Sequence, residues 1–135
     1  MSVDVLVIDA SAALYAAASD EGFPGIAADT LLAPALLWSE CTSVLREMHL
    51  RGEISPALRD TALARIVGGP IHKRSPRQLY VEAIRIAVDL GWAKTYDAEY
   101  VALARLLAVP LLTRDARLRR GATRLLQVVS QDDIT

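Results

Sequence analysis

Four carboxylates stand where folding can bring them together. Asp9 follows the apolar run VLVI, Glu40 lies within LLWSECTSVLREM, Asp97 precedes AEYVALARLLA, and Asp115 follows LLTR. Carboxylates packed within a few ångströms repel by about 4 kcal/mol per close pair at an effective dielectric near 20. Such a cluster therefore needs protons or a hard cation. All-oxygen ligation without His or Cys selects Mg²⁺, with Mn²⁺ as a substitute. An ion held this way polarises a phosphoryl oxygen and acidifies a water, which is the chemistry of phosphodiester hydrolysis.

Taken one at a time, the acids also have ordinary structural roles. Asp9, Asp97 and Asp115 are each placed to cap a helix, and Asp115 can also pair with Arg114 or Arg117. Glu40 falls on the border of an apolar helix face, beside Ser43 and Glu47, where a solvated side chain is also at home. Other metal or redox chemistry has little to work with. Cys41 is the only cysteine, and His49 and His72 are the only histidines, so neither a disulfide nor a His/Cys cage can form.

The elements that must position these acids follow from periodicity and punctuation. VDVLVI (residues 3–8) reads as a strand buried on both faces, followed by the helix SAALYAAAS. After a loop marked by Gly22, Pro24 and Gly25, LLAPALL is expected to continue into a longer helix. There Leu37, Cys41, Val44, Leu45 and Met48 recur at helical spacing, and Gly52 ends the run. Ser55-Pro56 opens a helix to about Ile66, which Gly68, Gly69 and Pro70 stop. IHKRS can form a short strand. Pro76 leads into a helix that Gly91 closes, and Tyr96-Asp97 begins another. LLT is a short strand, ARLRRGA a short helix and LLQVV a last strand before a polar tail. This alternation implies an α/β fold: one domain over residues 1–135, with a central, mostly parallel sheet flanked by helices in three layers. Ligands of such sheets sit beyond the carboxyl ends of the strands, where Asp9 and Asp115 stand.

Composition agrees with a folded domain of 135 residues, 53% of them hydrophobic. The longest stretches without a charge are 10 residues, Ala10 to Ser19 and Thr30 to Ser39, against about 20 needed to span a bilayer. The start carries Asp4 and Asp9 and no basic region, so it reads as a strand and not as a signal peptide. A cytoplasmic protein is expected. The net charge of -1 hides an asymmetry: residues 1–45 carry -6 with no Lys or Arg, and the rest carry +5.

VIDASAAL, LWSECTSVLRE and TYDAEYVALARLLAVPLLTRDARL resemble the signature segments of PIN-domain ribonucleases, above all the VapC toxins of type II toxin–antitoxin pairs. The resemblance extends over essentially the whole chain. It implies a PIN-like fold and a Mg²⁺-dependent endoribonuclease in which Asp9, Glu40, Asp97 and Asp115 hold the metal, with Ser11, Thr113 and Ser43 supporting them. It also implies an RNA substrate, with tRNA or another structured RNA as the target, a homodimer, and a small VapB-like antitoxin that blocks the cleft with an Arg. Two positions depart from the pattern. Ser43 stands where relatives often have Asn, and Arg117 stands where some carry a fifth acid, so one firm metal site is expected.

Arg114, Arg117, Arg119 and Arg120 surround Asp115 and are candidate RNA contacts, as phosphate-binding residues or as a solvated helix face. Lys73, Arg74 and Arg77 form a second candidate patch. Among the aromatics, Tyr96 beside Asp97 is the candidate for stacking on a base, the others being expected in the core or at a dimer interface. Two further readings compete. A PIN scaffold could bind a partner or RNA without cutting it. A Mg²⁺-binding receiver-type signalling domain would want a paired acidic cluster and a Lys after a late strand, which this chain lacks. A phosphatase of the Asp-x-Asp type lacks its second acid at Ser11.

Overall fold

The computed structural model of the protein describes residues 3–130, so the polar tail at 131–135 lies outside the described residues. The strands are β1 (Val3–Ile8), β2 (Ala28–Ala33), β3 (Ile71–Lys73), β4 (Leu111–Leu112) and β5 (Val128–Val129). The helices are α1 (Ala10–Ala18), α2 (Leu36–Leu50), α3 (Pro56–Val67), α4 (Leu79–Leu90), α5 (Tyr96–Leu107) and α6 (Ala116–Ala122). Among the described residues, no helix is long and apolar enough to cross a membrane.

All five strands are parallel, in the order β3-β2-β1-β4-β5. β1 is central because it can be dry on both faces: Leu6, Val7 and Ile8 are each 0% exposed. From β1 the chain steps outward through β2 to β3, then returns to the other side of β1 for β4 and β5. Right-handed crossovers in opposite directions put their helices on opposite faces. In keeping with this, α1, α2 and α3 pack on one another, while α4 packs on α5 and α5 on β1 and β4. The reversal falls between β1 and β4, whose registers pair Val7 with Leu111 and Ile8 with Leu112. A crevice opens beyond the carboxyl ends of strands at such a point.

One expectation is overturned. LLAPALL is not the start of a helix: ADTLLA is β2, and α2 begins only at Leu36. Proline disfavours helical geometry in the residue before it, so Pro34 separates the two elements. Leu31 and Leu32, good helix formers by propensity, are instead buried beside β1, opposite Leu6 and Val7. Tertiary pairing overrides local preference here.

The remaining boundaries have local causes. The Ser55 hydroxyl accepts the Leu58 N–H at 3.0 Å to start α3, and Gly91 ends α4 at φ +70. α5 ends at Ala108, which adopts φ 55, a left-handed conformation that an L-residue with a Cβ resists. Ala108→Gly should therefore stabilise the protein by about 0.5–1 kcal/mol, after allowance for the greater freedom of glycine in the unfolded chain. A higher midpoint in urea unfolding with an unchanged slope is the expected result.

Candidate active site

Asp9 leaves the end of β1 and is both the N-cap of α1 and a buried carboxylate, 3% exposed. Its Oδ1 accepts the Ala12 N–H at 2.9 Å and the Ser11 hydroxyl at 2.8 Å. Its Oδ2 accepts the Thr113 hydroxyl at 2.5 Å. The same two hydroxyl oxygens accept backbone N–H groups from the segment that follows β4: Ser11 from Arg114 at 2.9 Å and Thr113 from Asp115 at 3.0 Å. Together they stitch the end of β1 to the end of β4. Burial pushes the Asp9 carboxyl up to about 6, against the pull of these hydrogen bonds, and the negative charge of Asp115 adds to the rise.

Asp115 caps α6, its Oδ1 accepting the N–H groups of Arg117 at 2.9 Å and Leu118 at 3.0 Å. Glu40 projects from α2, and the hydroxyl of Tyr100 on α5 donates to its Oε1 at 2.6 Å. Burial raises the Glu40 carboxyl above its ordinary range, Tyr100 pulls it down, and Asp97 raises it again. Asp97 sits in the first turn of α5 but does not cap it, contrary to the capping expectation. Thr95 holds that position, without a side-chain cap bond. The Asp97 Oδ2 instead meets Arg117 Nη1 at 3.3 Å. Its carboxyl is raised by burial and by Asp115, and lowered by Arg117.

These influences link the four acids in one field. Asp115 acts on Asp9 and on Asp97, and Asp97 acts on Glu40. A cavity of about 300 Å³ is lined by Glu40, Ala93, Lys94, Tyr96, Asp97 and Arg117, but not by Asp9 or Asp115. Among the described residues, no three Asp, Glu, His or Cys side chains stand close enough together to hold a metal ion as they are. Donor chemistry nevertheless suits a hard cation. Among the described residues, no protein donor reaches Glu40 Oε2, Asp97 Oδ1 or Asp115 Oδ2, and three of the four carboxyls are raised by burial and mutual charge. An oxygen-seeking cation would relieve both conditions.

The other candidate positions are less uniform. Ser43 is exposed on α2 and makes no hydrogen bond to the acids. Arg114 stacks its guanidinium 3.6 Å from the centroid of the Tyr15 ring, and Arg117 lies 5.3 Å over Trp92. Arg120 is exposed and Arg119 half-buried. Tyr96 is 54% exposed at the cavity. Three residues with a bearing on the site are not singled out for it by the sequence: Tyr100, Lys94 and the buried Glu99, whose carboxyl is raised by burial and by Glu40. For Tyr100 a signal exists. It follows Asp97 by three residues on α5, a spacing that puts both on one helix face.

The PIN domain family model matches residues 6–123. The chain belongs to the PIN-domain family. Within that family it falls among the VapC proteins. It is 36% identical over 115 residues to the protein named Ribonuclease VapC9 of Mycobacterium tuberculosis, covering 84% of this chain and 88% of that one. The same figures hold for a VapC ribonuclease of Mycobacterium bovis. The crystal structure of PAE2754 from Pyrobaculum aerophilum superposes with a TM-score of 0.72 at 26% identity, covering 98% of this PIN chain and 93% of that one.

The raised Asp9 carboxyl gives this PIN domain a pH signature in metal-free buffer. The folded protein keeps the Asp9 proton up to about 6, whereas the unfolded chain releases it near 3.8. The folded state therefore binds more protons in that window, and stability falls as pH rises through it. Asp9→Asn, measured in EDTA by urea unfolding, should match wild type near pH 3.5. It should gain about 3 kcal/mol over wild type by pH 7.5.

Proposed function

We propose that the protein is a Mg²⁺-dependent endoribonuclease, the toxin of a toxin–antitoxin pair, acting in the cytoplasm. The observation that carries the reading is the meeting of Asp9 and Asp115 at the ends of β1 and β4, bridged by Ser11 and Thr113, with Asp97 tied to the same segment through Arg117. The names of the VapC relatives supply the substrate class, RNA. They also support a VapB-like antitoxin as partner, and the family resemblance supports a homodimer.

Asp9, Glu40, Asp97 and Asp115 would hold the ion, with Mn²⁺ able to replace Mg²⁺. Once bound, the ion supplies charge to a phosphoryl oxygen and lowers the pKa of a water. The protein contributes order. Ser11 and Thr113 lock Asp9 and tie it to the backbone that carries Asp115. The Tyr100 hydroxyl fixes the rotation of Glu40 and leaves Oε2 to face a ligand. Its phenol is raised far above its usual range by burial and by Glu40, so it keeps its proton and remains a donor. Arg114 and Arg120 would meet RNA phosphates outside this centre.

A second reading, a PIN scaffold that binds without cutting, is favoured by one observation. The acids are linked in charge without forming a closed coordination shell among the described residues. One experiment separates the two readings. Wild type should cleave RNA with Mg²⁺ or Mn²⁺ and stop in EDTA. Asp97→Asn should lose on the order of 100-fold or more of the rate while keeping its fold by circular dichroism. Equal cleavage by both proteins, or none by either, would remove the nuclease mechanism.

A further inference from the structure

Arg117 touches the acidic set twice. Its backbone N–H donates to Asp115 Oδ1 at 2.9 Å, and its guanidinium meets Asp97 at 3.3 Å. Among the described residues it makes the only ion pair to any of the four acids. The guanidinium also lies over the Trp92 ring and lines the cavity that Glu40, Lys94 and Asp97 share. Its side chain is 58% exposed, so the pair with Asp97 is one that water screens and a stronger cation can break. The Trp92 ring gives the guanidinium a second partner, 5.3 Å from its centroid. A guanidinium released from that carboxylate would remain tethered at the mouth of the cavity, with its planar fork open. That fork matches the oxygens of a phosphodiester better than an ammonium does.

We infer that Arg117 is an exchangeable cation, which holds Asp97 in the metal-free protein and passes to an RNA phosphate when a divalent ion takes that carboxylate. The inference rests on the metal-dependent reading above and adds to it a residue with two alternative partners. Such a residue affects the two ligands oppositely: it competes with the metal and assists the RNA. A merely structural side chain would weaken both or neither.

Full-length wild type, Arg117→Met and Arg117→Lys would be titrated with Mn²⁺ by calorimetry. Binding to a mixed tRNA pool would be measured across salt, with Ca²⁺ present to halt cleavage. Arg117→Met should bind Mn²⁺ roughly 2- to 5-fold more tightly, the range expected for removing one exposed competing charge. Its RNA affinity should fall about 5- to 10-fold, and the slope of log affinity against log salt should drop by about 0.7, the value of one lost single-strand phosphate contact. Arg117→Lys should keep most of the competition with Mn²⁺ and recover part of the RNA affinity. Unchanged or weaker Mn²⁺ binding in Arg117→Met, or an unchanged salt slope, would overturn the inference alone. Failure of wild type to take up Mn²⁺ would overturn the metal-dependent reading as well.

Discussion

The carboxylate of Asp9 is held at the dry end of a central strand, in a position that is costly for a charge and tightly furnished with donors. Burial works to keep its proton, while three protein donors work to remove it, and the balance leaves it at about 6. Much of the local arrangement answers this conflict. Ser11 and Thr113 are oriented by it, and through them the backbone at Arg114 and Asp115 is brought against α1. Capping and site formation are therefore not alternatives in this fold. One oxygen of Asp9 and one of Asp115 cap helices, and the same bonds hold the two carboxylates where their charges meet.

The second pair of acids is built differently. Glu40 and Asp97 project from helix faces, not from strand ends, and each is met by a side chain: Tyr100 for one, Arg117 for the other. A phenol that keeps its proton is a fixed partner, whereas an exposed guanidinium is a replaceable one. The site thus combines a rigid strand-end half with a helical half whose charge is only partly neutralised. Cys41, buried on α2 beside Glu40, has its thiol pushed up to about 12 by burial and by the charges of Glu40 and Asp9. It packs as an apolar residue and takes no part in the chemistry.

Much of the architecture is legible in the sequence because the signals are local. VDVLVI has the look of a strand buried on both faces, Ser55-Pro56 marks a helix start, and Gly91 marks a helix end. Strand β2 is hidden because Leu31, Leu32 and Ala33 carry helical preferences that only pairing with β1 overrides. Asp97 reads as a cap for a related reason: a helix-start acid looks the same whether it closes the first turn or faces a cleft. The partnership of Glu40 with Tyr100 spans 60 positions, and no pattern within one segment announces it. The strand-end placement of Asp9 and Asp115 can be read directly, but the distances among the acids depend on how α2 and α5 pack.

Strand β4 is only two residues long, and β5, beside it, is equally brief. The backbone bond from Thr113 to Val129 is already stretched to 3.5 Å. This edge of the sheet is thin, and thin edges open at lower free energy than the whole molecule. Fraying of β5 would leave β4 in place, because Leu111 and Leu112 are fully buried beside β1 and Thr113 is bonded to Asp9. Warming would then loosen the outermost strand before it reached the acidic centre.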